Sequence, residues 1–210
     1  GDAIIAFWGA PLELPNHATT ACYATLEMQK RGEELRAMLL EQKRPMLYTR
    51  MGLNSGPVVV GNMGSADRMD YTMMGDVVNL AARLEGANKF YKTYSMISGS
   101  TYELAKNDID CRELDIIRVV GKKEPVPVFE LLAKKNETSS EKSGVVEQYL
   151  KAMKFYKEKN FKDAILEFEK VLKIDPEDGP ALTYVKRCGN FLETPPEKDW
   201  DGVFTHTEKG

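Results

Sequence analysis

Apolar and polar positions follow two rhythms along the chain, and the rhythm changes near residue 133. Residues 3–8 form a short apolar run closed by Gly9, Ala10 and Pro11, which predicts a buried strand. Asn16, behind Pro15, stands at the N-cap of a long predicted helix whose Ala18, Ala21, Cys22, Leu26, Leu35, Met38 and Leu39 keep helical spacing until Pro45. Residues 47–54 alternate as a strand does, and residues 58–60 with 69–73 predict a hairpin around Gly64, Ser65, Ala66 and Asp67. A Gly75-Asp76 break then opens a helix with Val77, Leu80, Ala81, Leu84 and Ala87 on its apolar face. A strand near 94–97, a short helix over 100–106, and strands around 116–120 and 126–131 follow. That order predicts an α+β fold with an antiparallel sheet and helices on one face.

Residues 134–144 hold no apolar side chain and are rich in Lys, Ser and Glu, so they read as a linker. Beyond it, Ala152, Phe155, Phe161, Ala164, Phe168 and Pro176 fall where a tetratricopeptide repeat places its small, aromatic and proline residues. This resemblance covers one repeat, about residues 145–178, with a further helix over 180–192 and a tail over 194–210; Val171 departs from the usual Ala. A single repeat cannot bury its own apolar face. The helices over 145–193 are therefore expected to lean on the preceding domain or on a protein partner, as a structural extension or as a peptide-binding surface.

Composition narrows the function classes. With 210 residues the chain can hold a sizeable core and a second small module. A net charge of -3 gives no electrostatic footprint for nucleic acid. No run reaches the ~20 apolar residues of a membrane span, and the reading is cytoplasmic. Cys22, Cys111 and Cys188 are odd in number and far apart, which fits reduced thiols better than a disulfide framework or a zinc site. Asn79 and Arg83 stand four apart on the predicted helix, hence one above the other on one face. An amide and a permanent guanidinium there can hold a sugar oxygen and a phosphate at a fixed separation; a plain solvated face is the alternative.

Four blocks decide between these. They are residues 1–11 (GDAIIAFWGAP), residues 50–56 with 61–65 (RMGLNSG and GNMGS), residues 71–90 (YTMMGDVVNLAARLEGANKF), and residues 120–122 with 126–131 (VGK and VPVFEL). In order and spacing they resemble the catalytic domain of class III nucleotidyl cyclases, with a ferredoxin-like fold over residues 1–133. The resemblance implies conversion of a nucleoside triphosphate to its 3',5'-cyclic monophosphate at a site shared by two chains of a homodimer. It implies two divalent ions, Mg2+ or Mn2+, held by two aspartates. Asp2 matches the second aspartate, Asn79 the residue that orients the ribose, and Arg83 the one that stabilises the transition state. Lys122 matches a lysine that meets the outer phosphates, although Lys123 is adjacent.

Thr72 stands where adenylyl cyclases read the purine edge with Asp or Thr, so ATP is the expected substrate; a threonine chosen for its strand propensity is the alternative. The first aspartate and the purine-reading lysine are expected upstream of residue 1, together with a regulatory domain. On its own the 210-residue chain is expected to have little or no activity. The competing readings are a guanylyl cyclase, a cyclase-like module that only dimerises or holds nucleotide, and a helical scaffold.

Overall fold

The computed structural model describes residues 3–65, 67–118, 124–197 and 200–205. Helix α1 (His17–Glu41) leads into strand β1 (Met51–Leu53), the hairpin β2 (Val59–Ser65) and β3 (Arg68–Met74), and helix α2 (Asp76–Tyr91). Strand β4 (Ser95–Ser98), helix α3 (Gly99–Ala105) and strands β5 (Ile109–Arg118) and β6 (Val126–Lys134) complete the α/β part. Helices α4 (Ser140–Lys157), α5 (Phe161–Ile174) and α6 (Gly179–Glu193) follow, then a short β7 (Phe204–Thr205).

The main sheet has the order β1-β4-β6-β5-β7, and β2 with β3 forms a separate two-stranded ribbon. The sheet is mixed, not antiparallel: β1 runs parallel to β4 and β7 parallel to β5, while β4/β6 and β5/β6 are antiparallel. Helices also cover both faces, not one. Neighbouring strand residues point to opposite sides, and Met96 and Ile97 on β4 belong to different cores. Ile97 and Leu131 pack with Ala18 and Cys22 of α1 and Ala105 of α3. Met96, Leu114 and Val128 pack with Leu80, Leu84 and Tyr91 of α2 and with Tyr149, Phe168 and Tyr184 of α4 to α6.

Several other expectations change. The run at 3–8 forms no strand, and its Ile4 and Ile5 are 98% and 70% exposed. Periodicity identified its apolar character, but a strand also needs a neighbour to pair with, and none of the described strands takes it. Only residues 51–53 of the alternating stretch 47–54 are strand. Asn16 does occupy the N-cap position of α1, but its side chain makes no cap; its carbonyl instead accepts from Thr20 N at 2.9 Å. The segment 134–144 is mostly structured, with β6 running to Lys134 and α4 starting at Ser140, where the Ser139 hydroxyl accepts from Lys142 N as a true side-chain cap. Polar composition was misleading there because α4 begins with a solvated first turn. The tail over 194–210 contributes β7 to the sheet.

The helices α4 to α6 share one apolar core with the α/β part, as a module unable to bury itself must. Two buried ionic groups cross that boundary. Arg112 on β5 donates to Glu130 on β6 and, at 2.7 Å, to Asp178 at the start of α6. Arg187 on α6 donates at 2.6 Å to Asp115 on β5, which also accepts from the Tyr91 hydroxyl at 2.6 Å. Burial alone would favour discharging Arg112, but the carboxylates of Glu130 and Asp178 raise its pKa and hold it charged.

Candidate active site

The site is organised by α2. Gly75 joins β3 to this helix with φ 150°, a backbone state that side chains resist, and its carbonyl accepts from Val78 N at 3.1 Å in the first turn. Strand β1 then lies directly across the helix. A Cβ on Gly52 would come within 2.3 Å of Ala81 O and of Glu85 N, so only glycine permits this approach. Polar side chains fix the crossing: Asn54 Nδ2 donates to Val77 O at 2.9 Å, and Asn88 Nδ2 donates to Met51 O at 3.0 Å. Asn88 is itself held by the Thr93 hydroxyl at 2.8 Å.

With its inner faces committed to β1 and the core, α2 leaves one face toward solvent. Asn79 is exposed on that face and Arg83, one turn on, is half-buried. Neither side chain makes a hydrogen bond or ion pair with another of the described residues, so both keep their donors for a ligand. Thr72 is half-buried on β3, directly across from Gly61 on β2. A Cβ on Gly61 would meet nothing within 4 Å, so the Thr72 side chain has no covering neighbour at the opposite position.

The structure does not gather all five expected residues. Asp2 and Lys122 lie outside the described residues. A cleft of about 340 Å3 is lined by Trp8, His17, Leu53 and Val60 together with Met73 of β3, whose side chain points to the face opposite Thr72, and Val77 of α2. None of Asn79, Arg83 and Thr72 lines that cleft; Asn79 is exposed, and Arg83 and Thr72 are half-buried. Sequence reasoning missed the part played by Gly52, Asn54 and Asn88 in fixing α2. The signal for the first two was the block at residues 50–56, where a glycine and an amide interrupt a strand.

Residues 1–133 match the family described as the adenylate and guanylate cyclase catalytic domain. The chain belongs to this family. It is 35% identical over 132 residues to adenylate cyclase 1 of Rhizobium meliloti, covering 63% of this chain and 20% of that protein. It is 32% identical over 200 residues to the terminal-differentiation specific adenylate cyclase of Dictyostelium discoideum, covering 92% of this chain and 9% of that one. A match of 200 residues necessarily runs past residue 133 into the helices. Among solved structures it is similar to the adenylyl cyclase CyaB from P. aeruginosa, with 34% identity and a TM-score of 0.56 over 63% of this chain and 68% of that one. It is also similar to the guanylyl cyclase Cya2, with 30% identity and a TM-score of 0.56 over 61% of this chain and 64% of that one. The chain thus spans a fifth or less of the length of these two curated relatives.

Cyclases of this family generally use divalent metal ions. Among the described residues no three His, Cys, Asp or Glu side chains converge on one point. Asp2, the carboxylate assigned to metal by resemblance, lies outside them. No helix among the described residues is long and apolar enough to cross a membrane.

Proposed function

We propose that this chain, over residues 1–133, is the catalytic domain of an adenylyl cyclase that converts ATP to 3',5'-cyclic AMP and pyrophosphate. The observation that carries the proposal is the shared ledge of Asn79 and Arg83 on the free face of a helix whose other sides are clamped. The ribose 3'-hydroxyl gives its proton to solvent as its oxygen forms a bond to the α-phosphorus, and the bond from that phosphorus to the oxygen bridging the α- and β-phosphates breaks to release pyrophosphate. The Asn79 amide orients the ribose. The Arg83 guanidinium stabilises the negative charge that crowds onto the phosphorus oxygens in the transition state. The Thr72 hydroxyl accepts from the exocyclic amine of adenine, a donor that guanine lacks at that position. Lys122 meets the outer phosphates. Mg2+ or Mn2+, two ions per site with Asp2 as one ligand, would lower the pKa of the attacking hydroxyl and neutralise phosphate charge.

The open placement of Asn79 and Arg83 supports a site completed by a second copy of the chain. Exposed apolar residues on the β2/β3 ribbon, Val59 at 70%, Met69 at 63% and Met74 at 61%, are suited to cover such a partner. We place the enzyme in the cytoplasm, under control of an upstream regulatory domain.

The test is a side-by-side assay of the full-length protein with ATP and GTP, with Mn2+ and with no added metal. Cyclic AMP formation that exceeds cyclic GMP formation and rises with Mn2+ is expected. Equal or faster turnover of GTP would reassign the chain to the guanylyl cyclases.

A further inference from the structure

The C-terminal end of α2 is held by an element 93 residues further along the chain. The last carbonyls of a helix have no partner within it. At α2 one of them, Phe90 O, lies 2.9 Å from the Thr183 hydroxyl of α6, which is equally close to Gly179 O in its own helix. Beside it, Gly179 abuts the next carbonyl so closely that a Cβ would stand 2.3 Å from Tyr91 O and 2.5 Å from Lys92 Cβ. The Tyr91 hydroxyl and Arg187 of α6 meet on the same oxygen of Asp115, each at 2.6 Å. Tyr184 of α6 anchors that arrangement to the sheet by donating to Leu114 O at 2.7 Å. Helix α2 is therefore pinned across its middle by β1 and at its end by α6.

From this we infer that α6 is a positioning element of the active site, with Thr183 and Arg187 as positioning residues that set where α2 carries Asn79 and Arg83. The inference rests on the functional reading of those two residues. Arg83 lies seven residues before Phe90, about 10 Å along the axis at 1.5 Å per residue. A helix moves as a stiff rod over that distance, so a shift at its end reaches the guanidinium. Misplacement by about 1 Å at a reacting centre costs up to about a hundredfold in rate. Helix α6 then serves the chemistry through α2.

The experiment is a double-mutant cycle in the full-length protein. Thr183→Val keeps the side-chain shape and removes the hydroxyl, and Thr183→Ser keeps the hydroxyl. Each is made alone and with Arg83→Ala, and each is followed by ATP turnover and by hydrogen exchange of the α2 amides. We expect Thr183→Val to lower kcat about tenfold, with KM for ATP changed less than about threefold, and to speed exchange in the last turns of α2. Thr183→Ser should stay within about twofold of the wild type. In the Arg83→Ala background Thr183→Val should cost clearly less than it does alone, because of the two groups it positions only Asn79 remains. An equal fractional loss in both backgrounds would mean a general loss of folded protein and would overturn the inference. Unchanged turnover and exchange in Thr183→Val would overturn it as well. Should Arg83→Ala itself retain full turnover, the functional reading fails first and the inference falls with it.

Discussion

Arg83 and Asn79 owe their shared ledge to helical pitch, and their freedom to the commitment of every other side of α2. Because both side chains reach outward, their removal should leave the fold alone. Arg83→Ala is expected to lower kcat by about 10²–10³, the cost of losing one preorganised donor to a transition-state anion, with an unfolding midpoint close to that of the wild type. Matched activity and melting curves check this. The cysteines make a different residue-scale prediction. Burial pushes the Cys22 and Cys188 thiols up to about 12 from 9.0. The unfolded thiols therefore release protons that the folded ones retain as the pH climbs from about 9 to 12. In that window the folded state binds more protons, so stability falls with rising pH. A thiol reagent at pH 8 should label Cys22 and Cys188 rapidly only after denaturation; rapid labelling of the native protein would contradict their burial. The pattern Asn79-x-x-x-Arg83 was legible from the chain alone as a shared face, whereas its chemical meaning came from the four blocks around it. The partners that hold the helix were not legible, because Gly52, Asn54 and Asn88 act through contacts between segments distant in sequence.

At the scale of elements, what the sequence announced best was whatever is determined locally. The β2/β3 hairpin formed around the expected turn, and α2 and α3 began within one residue of the first positions expected. Local signals failed where pairing decides. Residues 3–8 have strand composition but pair with none of the described strands, and β1 is shorter than its alternating pattern. The contact between β1 and α2 yields the sharpest prediction at this scale. Gly52→Val must separate two backbones that now touch, so it should destabilise by about 1–3 kcal/mol, as overpacking does, and should also depress turnover by displacing α2. Gly61→Ala meets open space and should be nearly neutral for stability. Denaturant melts of the two variants compare the cases directly; equal losses would mean that the close approach at Gly52 is not what fixes the crossing.

Across the whole molecule, the helices that resembled a repeat are joined to the α/β part by a common core and by two buried arginines. Their polar start and single-repeat length suggested a linker and a hairpin that leans on the preceding domain or on a partner, and Arg112 and Arg187 reach across that boundary. A buried pair adds little net stability when formed, yet removing one partner strands the other. Arg112→Met, which leaves the enclosed Asp178 with Lys142 as its cation and the Ala181 N–H as its donor, is expected to cost about 3–5 kcal/mol. Arg31→Ala, which removes an ion pair on an exposed helix face, should leave the unfolding midpoint close to that of the wild type. Both parts should melt in one transition in the wild type, and a separate early transition for the helices would contradict the shared core.

In the proposed function a second chain completes the site, with Asp2 from one copy and Arg83 from the other. The most direct test mixes two full-length variants, Asp2→Ala and Arg83→Ala, each impaired at least about a hundredfold as its own homodimer. In the mixed dimer one site lacks both residues and the other keeps both. ATP turnover should return, to at most about half the wild-type rate scaled by the fraction of mixed dimer. If subunit exchange is demonstrated and the mixture stays as impaired as either variant while the wild type makes cyclic AMP, the shared site and the roles given to Asp2 and Arg83 are contradicted.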